Sequence, residues 1–194
     1  MTTTDHPVAI IETLGDLEQL AAHLEGMDRI SIDLESDSFY SYYEKVCLLQ
    51  LSSSTHDFVI DPLAVRDLSP LGPIFRAPNV EKVFHAGAYD ILCLKRDFGF
   101  EVANVFDTMI AARILGSKEL GLASLIQRYF DVTLSKKLQR SDWGKRPLTP
   151  AQIEYARMDT HYLLTLRDLL TEELVQHELD GDASDEFVRL VRVQ

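Results

Sequence analysis

The sequence predicts an α/β domain: a mixed sheet, with three antiparallel strands and then parallel ones, flanked by helices. Three observations point to it. Residues 29–35 alternate strictly between apolar and polar, and two more apolar runs, 46–51 and 57–60, follow after short polar breaks. Beyond Asp61-Pro62 the pattern changes to short apolar strands alternating with helical spacing. Later, Thr149-Pro150-Ala151-Gln152 reads as an N-cap, a first-turn proline and the glutamine of a capping box.

Taken in order, residues 8–11 form a short strand, and residues 16–24 a helix with apolar positions 17, 20, 21 and 24 on one side. In 29–35, Ile30, Ile32 and Leu34 share one face of a strand while Ser31, Asp33 and Glu35 share the other. With 46–51 and 57–60 this strand makes an antiparallel meander. Strands at 80–84 and 105–106 then precede helices at 88–98 and 108–115. Further helices are expected at 120–130, from Thr149 to about Leu174, and at 184–193. The 194 residues are read as one domain, with a core over about 8–178 and a short C-terminal helix.

Composition narrows the function. Hydrophobic residues at 46% and charged ones at 26% describe a globular chain. No apolar run approaches the ~20 residues of a membrane span. Met1 to Pro7 lack a basic-then-apolar leader, so a cytoplasmic protein is expected. Cys47 and Cys93 lie in apolar surroundings and read as core. Acidic residues number 31 against 19 basic ones, a net charge of −12. Such a chain repels nucleic acid except where it gathers positive charge or carries metal cations. No Gly-x-Gly, phosphate-binding loop or Gly-x-Ser-x-Gly elbow occurs, which excludes the common nucleotide and hydrolase signatures. Asp180 to Ser184 lacks the glycine and glutamate of a calcium loop and reads as a solvated helix start.

The informative residues are carboxylates in costly positions. Asp33 and Glu35 project from one face of a strand flanked by core-like residues. In isolation an Asp-x-Glu is more often the outer face of an edge strand. His85-Ala86-Gly87-Ala88-Tyr89-Asp90 is a strand-to-helix turn that puts Asp90 in a first helical turn, where a carboxylate also complements the helix dipole. Tyr155 and Asp159 lie four apart on the capped helix and share a face.

In this order the three motifs resemble the tyrosine subclass of the DEDD exonucleases, and most closely the ribonuclease D group. Val46 to Leu51, Phe106-Asp107-Thr108, Asp142 to Leu148 and Tyr155 to Leu164 resemble that family's accessory segments. The likeness runs from about Val8 to Leu170. Leu34 stands where many members have Thr, with its side chain expected to point away from the acids. The helical nucleic-acid-binding domain that many ribonuclease D relatives carry is expected to be absent.

The resemblance implies a ribonuclease H-like fold in which Asp33, Glu35, Asp90 and Asp159 converge on two divalent cations, Mg²⁺ or Mn²⁺. It implies that Asp33 bridges them, that Glu35 and Asp159 complete one and that Asp90 holds the other through water. Tyr155 would position the attacking water, and the reaction would be 3′→5′ hydrolysis of single-stranded RNA or short oligoribonucleotides to nucleoside 5′-monophosphates. His85 is expected either to contact substrate or to serve structure. Asp107 is expected to cap the helix at Thr108. Lys136, Lys137, Arg140, Lys145 and Arg146 gather five of the 19 basic residues into eleven positions before the Tyr155 helix, and are expected to meet substrate phosphates. Phe39, Tyr40, Tyr42 and Tyr43 offer either a stacking surface or loop packing. The competing functions are a non-catalytic nucleic-acid-binding or scaffold protein and a DNA-directed exonuclease. The intact set of five polar groups speaks against the first.

Overall fold

A computed structural model describes residues 6–192. Six strands form one mixed sheet in the order β1-β4-β3-β2-β5-β6. β1 (Val8–Ile11) runs parallel to β4 (Asp57–Ile60), outside the meander. β2 (Arg29–Ser36), β3 (Val46–Ser52) and β4 are antiparallel neighbours, while β5 (Glu81–Phe84) and β6 (Val105–Asp107) continue parallel to β2. The expected mixed sheet is present, and β2 lies inside it with partners on both sides. Asp33 and Glu35 therefore do not sit on an edge strand.

The two faces of β2 do different work. Ile30 and Ile32 are fully buried and join a core with Leu49, Leu51, Phe75 and Phe84, against which Leu34 also packs. Helix α1 (Leu14–Leu24) closes this side through Leu17, Leu20, Ala21 and Leu24, and Thr13 accepts a hydrogen bond from the Asp16 N–H as its N-cap. Two short helices follow, α2 (Pro62–Val65) and α3 (Gly72–Arg76). α4 (Ala88–Phe98) starts directly after β5 and ends at Gly99, whose φ of +70° suits glycine.

On the other face lie α5 (Thr108–Ile114), α6 (Leu122–Phe130), α7 (Pro150–His161), α8 (Leu163–Gln176) and α9 (Asp180–Arg192). α7 carries the expected capping box between Thr149 and Gln152. The long helix expected to run to Leu174 instead breaks at Tyr162. Its cause is a side chain from the sheet: Ser31 Oγ donates to the Thr160 carbonyl at 3.0 Å, competing for an acceptor in the helical ladder. α9 begins four residues earlier than expected, and its Phe187 ring packs 4.6 Å from Phe106, which ties it to the sheet. The expected end at Val193 lies outside the described residues. No described helix is long and apolar enough to cross a membrane.

Candidate active site

Alternation along β2 presents Ser31, Asp33 and Glu35 to α7, and two hydroxyl contacts fix the helix above them. Ser31 holds the Thr160 carbonyl, and Ser52 Oγ lies 2.7 Å from Thr160 Oγ1, all fully buried. Asp159 is the next residue back along α7. Beneath the same helix, buried Trp143 packs with Ala156 and lies 5.9 Å from the Tyr155 ring. Ser31 and Ser52 carried no signal in sequence beyond their strand setting, and Trp143 was marked only as part of a segment that resembles the family.

Asp90 is placed by a different device. Asp107 caps α5 through the Met109 and Ile110 N–H groups, as expected, but its carboxylate also accepts from the Ala86 and Gly87 N–H groups at 3.2 and 2.8 Å. One carboxylate thus ties the turn that launches α4, through two backbone donors, to the start of α5, through two more. Ala86 takes φ +59°, and a Cβ on Gly87 would lie 2.5 Å from the Phe84 side chain, so this turn tolerates no larger residue at 87.

Three carboxylates meet. Ligand oxygens of Asp33, Glu35 and Asp159 all lie within 4.8 Å of one another. Asp90 stands outside this group, yet its carboxyl is raised well above the usual range by burial and then by the charges of Asp33 and Asp107. Burial pushes Asp33 up to about 7. Burial, then Asp33, Asp159 and Asp90, push Glu35 up to about 10. Asp159 is raised by burial and by Asp33. No Lys or Arg pairs with any of the four among the described residues.

Such a site fits divalent cations. Hard oxygen donors in excess of local positive charge are what Mg²⁺ and Mn²⁺ require. A second observation agrees: Gln50 is fully buried, pairs in register with Asp33 across β2 and β3, and neither its carbonyl oxygen nor its amide nitrogen has a partner. An orphaned amide beside the acids costs about 1–3 kcal/mol unless something there engages it. The other cluster of metal-ligand type among the described residues, His6, Asp57 and His161, is already occupied by Arg157, whose Nη1 lies 3.2 Å from Asp57 Oδ2. It pins α7 to β4.

An open cleft of about 470 Å³ runs over the acids, lined in part by Asp33, Glu35, His85, Lys136, Tyr155 and Asp159. His85 Nδ1 sits 2.9 Å from Thr108 Oγ1, and burial lowers its pKa, which keeps the ring neutral at physiological pH. Tyr155 has its hydroxyl pKa raised by burial and then by Asp159, Glu35 and Asp33. Lys137 lines an adjoining cavity with Tyr155 and Asp159, and Arg140 lies over the Phe39 ring at 5.6 Å. Lys145 is exposed and lines neither cavity.

Arg146 corrects the sequence reading. Its five N–H donors are spent on Asp61 (two bonds, 2.5 and 2.9 Å) and on the carbonyls of Trp143, Lys145 and Cys47. None is left for a phosphate; the residue anchors the loop before α7 to the sheet. Asp61 is almost fully buried, so Arg146→Ala strands a carboxylate and costs about 3 kcal/mol of stability. A chemical-denaturation midpoint unchanged by this substitution would contradict the assignment.

The profile of a family described as 3′–5′ exonuclease matches residues 8–175. The chain belongs to that family. Among solved structures it superposes on the catalytic core of RRP6 from Trypanosoma brucei with a TM-score of 0.93 and 37% identity, covering 98% of this chain and 53% of that one. On Escherichia coli RNase D the TM-score is 0.89 at 34% identity, covering 97% and 50%. A curated relative, the exosome complex component 10 homolog of Caenorhabditis elegans, is 41% identical over 175 residues, 90% of this chain and 20% of its own length. The chain thus spans about a fifth of such relatives. The ribonuclease D-like resemblance and the ribonuclease H-like fold both stand. The expected cytoplasmic location does not. Curated relatives of the chain are named for membership of the exosome complex, not for a cytoplasmic address, and the polar first residues decide nothing.

Proposed function

We propose that this exonuclease hydrolyses the 3′-terminal phosphodiester of single-stranded RNA or short oligoribonucleotides, releasing nucleoside 5′-monophosphates. Its residues 8–192 act as one catalytic unit, and two divalent cations, Mg²⁺ or Mn²⁺, are its cofactors. The observation that carries this reading is the gathering of Asp33, Glu35 and Asp159 within 4.8 Å, without a basic partner, in a cleft of an exonuclease-family domain. Asp33, Glu35, Asp90 and Asp159 hold the cations. When bound, these supply Lewis-acid stabilisation of charge developing on the phosphate.

The chain's own groups do the rest. Tyr155, its pKa raised, stays protonated and cannot serve as a base at neutral pH; its hydroxyl orients the water that attacks phosphorus. The bond between phosphorus and the 3′ oxygen of the preceding nucleotide breaks as the water's oxygen bonds phosphorus; the water gives up a proton to solvent and the 3′ oxygen takes one up from solvent. Neutral His85 offers a hydrogen bond to the terminal nucleotide at the cleft wall. Lys136 and Lys137 contact phosphates, which offsets the overall charge of −12 where substrate enters. RNA is favoured over DNA because the matched solved structures include an RNase D and an RRP6.

The test uses 5′-labelled RNA and DNA of about two to twenty nucleotides with Mg²⁺, Mn²⁺ or chelator. A ladder shortening from the 3′ end, strongest on RNA and abolished by chelator and by Asp159→Ala, is expected. Internal fragments, or binding without cleavage, overturn the proposal.

A further inference from the structure

The aromatic cluster after β2 is left unexplained by the catalytic cleft. Phe39 is 65% exposed, Tyr40 58%, Tyr42 94% and Tyr43 83%. Loop packing does not account for them. The loop is shaped by its own polar contacts: the Asp37 carbonyl accepts from the Tyr40 and Ser41 N–H groups, the Asp37 carboxylate accepts from the Lys45 N–H, and Ser41 Oγ donates to the Tyr43 carbonyl. Four large aromatic rings are therefore left largely exposed on a loop framed by backbone and short polar groups.

Two contacts join this loop to the basic segment before α7. The Tyr40 hydroxyl donates to the Arg140 carbonyl at 2.9 Å, and the Arg140 guanidinium covers the Phe39 ring. Arg140 follows Gln139, which lines the cleft over the acids. Acidic groups on the loop are already paired: Asp37 with Lys45 at 3.6 Å, and Glu44 with Arg96 and Tyr89. Exposed rings on a loop joined through Arg140 to the segment that lines the cleft, interleaved with a guanidinium and with their neighbouring carboxylates paired, match the chemistry of bases on a flexible strand.

We infer that Phe39, Tyr40, Tyr42 and Tyr43 form a stacking platform for bases of single-stranded RNA lying 5′ of the nucleotide in the cleft. This rests on the function proposed above, but its test does not need hydrolysis. Binding of a fluorescent ten-nucleotide oligouridylate is measured in chelator by anisotropy, for wild type, Tyr42→Ala/Tyr43→Ala and Tyr42→Phe/Tyr43→Phe. A second probe is the same oligonucleotide with abasic sites in place of its bases.

Stacking is lost from two rings, so the alanine pair binds the oligouridylate at least about tenfold more weakly, and the phenylalanine pair binds it like wild type. The salt slope stays the same for both pairs because no charge is removed, whereas Lys136→Ala flattens it. The abasic probe binds all three proteins alike. Near-complete exposure makes the substitutions safe for folding, which circular dichroism checks. Equal binding of oligouridylate by wild type and the alanine pair overturns the inference. So does equal weakening on the abasic probe, or a change in self-association without a change in RNA affinity. An inactive wild type that still shows this base-dependent binding would instead contradict the proposed function alone.

Discussion

Asp33→Asn lowers the rate of 3′-end hydrolysis by about a thousandfold or more, and at the same time leaves the cation-free protein as stable as wild type or more so. The two effects have opposite signs for one reason. Asp33 sits beside Glu35 and Asp159 with no basic partner, so in the empty site its carboxylate is a liability. Amide replacement keeps its shape and removes its charge, which relieves Glu35, Asp90 and Asp159 together. With cations present the same charge is an asset. Metal stabilisation of a phosphoryl transition state is worth several kcal/mol, and about 4 kcal/mol corresponds to a thousandfold in rate. Activity is read on labelled RNA at saturating Mg²⁺, and melting temperature in chelator at pH 8. Activity within tenfold of wild type, or a clear fall in melting temperature, would contradict this account of Asp33.

A second large effect is on the pH dependence of stability. Asp33 is raised from an ordinary 3.8 to about 7 by burial, and Glu35 from 4.5 to about 10 by burial and then by the charges of Asp33, Asp159 and Asp90. Between about pH 4 and pH 10 the folded site therefore holds more protons than the unfolded chain does. Stability is fully present below about pH 4 and is lost as pH rises through 7 towards 10. In chelator the melting temperature falls by at least about 5 °C between pH 5 and pH 9, a change of a few kcal/mol. Saturating Mg²⁺ removes most of that slope, because bound cations replace the protons. Lys82 works in the other direction: burial lowers it to about 8, so its contribution grows above that pH. The scan is thus read as a difference from Glu35→Gln, whose curve in chelator is flatter than wild type. Identical slopes for the two proteins would contradict the charge crowding.

Legibility in sequence tracked how local the cause is. Alternation in β2 placed Ile30 and Ile32 inward and Asp33 and Glu35 on the opposite face, because strand periodicity is a property of consecutive residues. The α7 cap at Thr149 was legible for the same reason. Hidden features depended on partners far along the chain. The break at Tyr162 comes from Ser31, 129 residues before Thr160. Arg146 looked like one more cation in a basic run until Asp61 and the Cys47 carbonyl claimed its guanidinium. Asp107 was legible as a cap, a contact two and three residues away, but not as the clamp on Ala86 and Gly87. Gln50 was legible only as part of a strand that resembles the family, because a lone buried amide in an apolar run reads as strand and its register with Asp33 is set only by pairing.

Calorimetric titration of Mn²⁺ into the protein at pH 7, in two buffers of different ionisation enthalpy, tests the central claim most directly. Raised carboxyls must surrender protons to a cation, so binding should release at least one proton per site, tighten as pH rises, and disappear in Asp33→Asn/Asp159→Asn. Absence of binding, or binding that releases no proton and survives the double substitution, would contradict the claim that these acids cage divalent ions.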